Sequence, residues 1–86
     1  MIMNNKILIE VNVPFLEETY QIFIPINKRI SVIIALIEKT LKELTNGYYP
    51  TKEGTVIIDE KTGNIYDINI TVKESKMMNG SKVILI

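Results

Sequence analysis

The hydrophobic period of this chain switches from two to 3.6 partway along, and that switch restricts its folds more than any other feature. From Lys6 to Val13 the pattern alternates, with Ile7, Ile9, Val11 and Val13 on one face and Leu8, Glu10 and Asn12 on the other. Period two with β-branched residues specifies a strand. Pro14-Phe-Leu-Glu-Glu18 interrupts it, because proline removes a ladder donor and adjacent acids suit a solvated turn. Alternation resumes at Thr19, placing Tyr20, Ile22 and Ile24 on one face and Gln21 and Phe23 on the other, and stops at Pro25. So short a connection between the two runs makes an antiparallel hairpin.

From Ile30 the apolar positions are 30, 33, 34, 37, 41 and 44, one face of a helix. The spacing predicts a helix over Ser31–Thr45 with Ser31 as N-cap. Glu38 with Lys42, and Lys39 with Glu43, form pairs four apart on the polar side, and Asn46-Gly47 tolerates positive φ just past the end. Tyr48 to Gly54 reads as a loop. Thr55–Asp59 reads as a β-branched strand, Asp59–Asn64 as a turn with Gly63 at positive φ, and Ile65–Asp67 as a short strand. Val72 is the expected anchor of the mixed stretch 68–76. Met77-Met78-Asn79-Gly80 reads as a turn with at least one methionine in the core, and Ser81–Ile86 as a closing strand.

The order is therefore β-β-α-β-β-β in one domain spanning 1–86, ordered from about residue 6. One amphipathic helix must lie across one face of a mixed sheet, so the expected class is α+β, with the first and last strands parallel neighbours. This is the ubiquitin-like β-grasp, a mixed sheet of about four or five strands with one helix packed across one face.

Composition excludes several chemistries. Apolar residues make up 47% of the chain, enough for a packed core, while ten basic and ten acidic side chains cancel. There is no Cys and no His, so disulfides, thiolate or imidazole metal sites and Ser-His or Cys-His nucleophiles are excluded. A zero net charge gives no field for steering nucleic acid. No apolar run approaches the length of a membrane span, and the first residues lack the pattern of a secretory signal, so a cytoplasmic protein is expected. Asn69-Ile-Thr71 and Asn79-Gly-Ser81 read as chance glycosylation triplets.

From Lys6 to Ile86 the chain resembles ubiquitin-like proteins segment by segment. The tail, from Thr55-Val-Ile-Ile-Asp59 through Thr71-Val72 to Met78-Asn-Gly-Ser-Lys-Val-Ile-Leu-Ile86, is similar to the end of bacterial YukD/EsaB-type proteins. These are small ubiquitin-like accessory proteins of the Gram-positive type VII (WXG100) secretion system. The resemblance implies a non-catalytic, cytoplasmic protein-interaction module that assists or regulates a secretion machine. Ubiquitin and the sulfur carriers end in Gly-Gly, whereas this chain ends Val83-Ile-Leu-Ile86, so conjugation chemistry is not expected. Two alternatives stay open: a carrier or modifier whose Gly-Gly tail is absent here, and a β-grasp subunit of another complex.

The candidate catalytic motifs are weak. Glu17-Glu18 and Asp59-Glu60 fall in turns, where water keeps both carboxylates charged. Asp59–Asn64 lacks a calcium loop's oxygen ligands at Lys61 and Gly63, and Gly47 and Gly54 do not make a phosphate loop. No enzyme activity, metal or cofactor is expected. Tyr48-Tyr49 reads as an aromatic closure of the core with hydroxyls in water. Lys73, Lys76 and Lys82 read as strand-rim residues that discourage edge pairing. The outer sheet face is the best candidate site. Parity sends Leu8 and Phe23 outward if Ile7, Ile9, Ile22 and Ile24 face the helix. Ile84 and Ile86 point out if Val83 and Leu85 face in, and Ile57 points out if Val56 and Ile58 face in. Leu8 is expected to touch Ile84, with Ile57 and Phe23 flanking. Such a patch fits a protein partner, secretion-machine components or a second copy of the chain.

Overall fold

The computed structural model describes residues 5–86. Strand β1 (Lys6–Val13) turns through a short 3-10 segment, Pro14–Leu16, into β2 (Glu18–Pro25). Helix α1 (Ile30–Leu44) follows, then the short β3 (Ile57–Asp59) and the closing β4 (Lys82–Leu85). The sheet order is β2-β1-β4-β3. β1 pairs antiparallel with β2 and parallel with β4, and β3 runs antiparallel to β4. This is a ubiquitin-like α+β fold, with the parallel first and last strands at its centre. Among the described residues no helix is long and apolar enough to cross a membrane.

The core lies between α1 and one sheet face. Ile9, Val11, Val13, Ile24, Ile57, Val83 and Leu85 supply the sheet side; Ile30, Ile33, Ile34, Ile37 and Leu41 supply the helix side. Each fully buried aliphatic side chain contributes about 1.5–3 kcal/mol, which offsets the weak helix propensity of the β-branched first half of α1. Val72 and Met77 are buried as expected, while Met78 is exposed. Leu44 corrects the helix pattern: it lies in the last turn, at the groove between α1 and β2, and stays exposed.

The helix starts differently from the sequence expectation. It begins at Ile30, with Arg29 at the cap position in extended geometry and no side-chain cap bond. The segment 68–72 supplies the missing partners instead. Ile30 N–H donates to the Ile70 carbonyl at 2.9 Å and Ser31 N–H to the Ile68 carbonyl at 3.0 Å. Ser31 is not the cap, because neighbouring main chain already satisfies the orphan donors. The C-terminus follows expectation, with Asn46 at φ 52° and Gly47 at φ 86°. Gly47 N–H closes back on the Lys42 carbonyl at 2.7 Å.

The parity of β3 is the reverse of the expectation. Ile57 is wholly buried, and Thr55, two residues earlier, is buried with it, so Val56 and Ile58 lie on the opposite, half-buried face. The inward threonine disguises the pattern. Its hydroxyl donates to the buried Glu38 carboxylate at 2.9 Å and so removes the cost of burying it. The predicted strand at Ile65–Asp67 is a single bridge between Ile58 and Ile65.

Candidate functional site

The outer sheet face is built by register. Gln21 lies opposite Glu10, and Glu10 opposite Lys82; Glu60 N–H donates to the Lys82 carbonyl at 3.0 Å. These residues form a polar row across the middle of the face. One strand pleat away on one side, Phe23 is paired with Leu8. On the other side Asn12 is paired with Ile84, Ile84 with Ile58, and Ile58 with Ile65. The end of the chain adds to that corner, since Val56 and Ile86 exchange both backbone hydrogen bonds, at 2.9 and 3.0 Å.

The four residues expected to form one patch therefore separate. Leu8 and Phe23 are brought together, and Phe23 is 67% exposed. Ile84 lies on the outer face but opposite Asn12, four residues along β1 from Leu8, about 13 Å at the usual rise. The place beside Leu8 is taken by the 79–80 turn. Gly80 N–H donates to the Leu8 carbonyl at 2.8 Å, and Leu8 N–H donates to Asn79 Oδ1 at 2.7 Å. Ile57 is not on this face at all and belongs to the core; Ile58 takes its place. The face thus carries two apolar corners. The larger combines half-buried Ile84, Ile58 and Val56 with exposed Ile65 and Ile86. Ile86 lies outward with Ile84, as the parity of the last strand implies, whereas Ile58 was missed because an inverted parity in one short strand exchanges its two faces, and Ile65 because only an isolated bridge brings it beside Ile58.

The charged candidates have structural duties. Asp59 Oδ2 accepts from Thr62 Oγ1 at 2.7 Å and from Thr62 N–H at 3.2 Å, tying the turn that ends at Gly63. Lys82 lies on an interior strand, and Lys73 and Lys76 lie outside the strands, so none of them guards a sheet edge. Glu38 departs furthest from expectation. It is buried and accepts from Tyr49 Oη at 3.0 Å and Thr55 Oγ1 at 2.9 Å. Burial, then the hydrogen bond to this carboxylate and its charge, push the Tyr49 phenol up to about 12. Tyr49 is thus a core residue whose hydroxyl is not in water, while Tyr48 is exposed and packs near Phe15, 5.5 Å between ring centres. The sequence signal for Glu38 was its spacing, four residues after Ile34 and three before Leu41, which is the buried stripe.

No protein-family model matches this sequence, and no curated protein is similar to it in sequence. Solved structures share its fold. An N-terminal ubiquitin-like domain solved in solution is 19% identical, with a TM-score of 0.73 over 98% of this chain and 76% of the other. The ubiquitin-like domain of the type VII secretion system protein EccD1 from Mycobacterium tuberculosis is 8% identical, with a TM-score of 0.71 over 94% of this chain and 97% of that one. A chain of a toluene 4-monooxygenase complex is 11% identical, with a TM-score of 0.72 over 93% of this chain and 95% of that one. At such identities the likeness establishes the ubiquitin-like fold and leaves the function to the surface.

Proposed function

We propose that this chain is a non-catalytic ubiquitin-like interaction module of a type VII secretion system, of the YukD/EsaB kind, and that it binds a protein partner through the outer sheet face. The observation that carries the proposal is the apolar corner of Ile84, Ile58, Ile65, Val56 and Ile86, on a face where an antiparallel ladder normally presents polar residues. The Leu8–Phe23 corner, across the polar row of Glu10 and Lys82, extends the same surface. Opposite charges in the middle fix orientation, and the two apolar corners supply contact area. The likeness to the ubiquitin-like domain of EccD1 supports the secretion assignment.

The test is affinity capture from the source cells with wild type, Ile84→Lys/Ile58→Lys and Leu8→Lys/Phe23→Lys, each checked for folding by circular dichroism. Secretion-machine components retained by wild type and lost by the first folded variant are expected. Retention of the same proteins by both folded variants would contradict the outer-face site. Partners unrelated to secretion, lost in the same variant, would keep the face and overturn the secretion role.

A further inference from the structure

The two edges of the sheet are treated differently. The outer side of β3 is covered by the 64–66 segment: Asp59 N–H donates to the Asn64 carbonyl at 2.8 Å and Tyr66 N–H to the Ile57 carbonyl at 2.9 Å. Along the outer side of β2 no strand pairs among the described residues. The register identifies the backbone groups there. Ile26 N–H donates to the Asn5 carbonyl at 2.8 Å, and directly bonded pairs recur every second residue of an antiparallel ladder. Tyr20, Ile22 and Ile24 therefore bond β1, while Thr19, Gln21, Phe23 and Pro25 turn their backbone groups away from it. The far side of β1 agrees, because Leu8 and Glu10, opposite Phe23 and Gln21, bond residues 80 and 81 instead. The β2 edge thus offers the N–H groups of Thr19, Gln21 and Phe23, and Pro25 contributes only a carbonyl.

Beside this edge runs a groove of about 400 Å³ between β2 and α1, floored by Tyr20, Ile22 and Ile24 and walled by Leu36, Thr40 and Leu44. None of its lining residues carries a charge. Val32, Leu36, Thr40 and Leu44 recur every four residues, one stripe along the helix, and the three aliphatic ones are exposed.

We propose that this edge is a self-association surface, in which β2 pairs antiparallel with β2 of a second copy and the two helical stripes meet across a two-fold axis. Self-pairing fits the register. With Ile22 opposite its own copy, Gln21 faces Phe23 and Thr19 faces Pro25 across the axis, so every outward N–H meets an outward carbonyl. The one missing donor is Pro25, at the strand end, where the Thr19 carbonyl opposite it turns to water. Charge fits as well. An uncharged groove meets its own copy without like-charge repulsion, and a chain of zero net charge does not repel a second one. An isologous contact of this kind closes the sheet edge that is otherwise a hazard.

Sedimentation and amide hydrogen exchange test this together on the whole chain, from about 1 μM to about 1 mM. Wild type is expected to approach twice the mass of one chain, and the amides of Thr19, Gln21 and Phe23 to exchange more slowly as concentration rises. Leu36→Lys, at an exposed site, and Gln21→Pro, at an N–H the β1 ladder does not use, are expected to weaken association at least tenfold with unchanged circular dichroism. Leu36→Lys keeps the test valid if the proline variant misfolds. Ile84→Lys/Ile58→Lys is expected to associate as wild type does, which separates this surface from the outer-face partner site. A monomer throughout the range overturns the proposal, and leaves a strand from another protein to be sought at the edge. A dimer that survives Leu36→Lys, or that leaves those three amides unprotected, overturns it as well.

Discussion

Glu38 shows how one residue reorganises a region. Its carboxylate joins α1 to Tyr49, in the loop after the helix, and to Thr55, before β3, through two hydroxyl donors. Removing one donor leaves a buried acceptor short of a partner. Tyr49→Phe is therefore expected to cost about 1–2 kcal/mol in denaturant unfolding. The pH dependence has a definite sign. The Tyr49 phenol is raised from 10.0 to about 12, so the fold favours its neutral form. That contribution is complete below pH 10 and is lost as pH rises toward 12. In Tyr49→Phe the alkaline loss of stability should be shallower. Some slope remains from Tyr66, whose phenol is raised by burial and by the nearby Asp59 charge. Equal alkaline slopes in the two proteins would show that the Tyr49–Glu38 contact does not form. Residue 38 falls four after Ile34 and three before Leu41, on the edge of the buried stripe, but a glutamate with Lys42 one turn later reads as a surface pair on the polar side. Only the hydroxyls brought from 49 and 55 reveal otherwise.

At the scale of elements, periodicity located β1, β2 and α1 nearly to the residue, because each repeats its pattern over several turns or pleats. It failed where an element is short or satisfied from outside. Ser31 was the best cap by composition, yet the carbonyls of Ile68 and Ile70 serve the first helical amides. Ser31→Ala should accordingly shift stability by no more than about 0.5 kcal/mol, whereas loss of a working cap costs about 1 kcal/mol. A loss of that larger size would restore Ser31 as the cap. β3 is too short for its apolar run to declare a face, and the inward Thr55 breaks the alternation. The register makes a sharp contrast: Ile57→Lys should destabilise by more than about 4 kcal/mol, and Ile58→Lys by about 1 kcal/mol or less. Thermal melts of the pair decide the matter, and comparable losses would mean that β3 is paired in the wrong register.

For the whole molecule, element order was enough to predict the topology, down to the parallel pairing of β1 with β4. One helix and one mixed sheet leave few compact arrangements. The surface was less legible, because parity assigns a face while register assigns neighbours. Asn79 and Gly80 occupy the place beside Leu8, so Ile84 is carried along β1 to Asn12, and one expected patch becomes two corners across Glu10 and Lys82. The proposed site is the corner around Ile84 and Ile58, with the charged side of α1 left free of the partner. Site-specific photo-crosslinking in the source cells tests it most directly, with a photoreactive residue at Ile65, at Phe23 or at the exposed Lys39. A discrete protein adduct is expected from position 65, a weaker one from 23 and none from 39, with the captured protein belonging to the secretion machine. Adducts of equal yield from position 39, or none from position 65 in a folded protein, would contradict it.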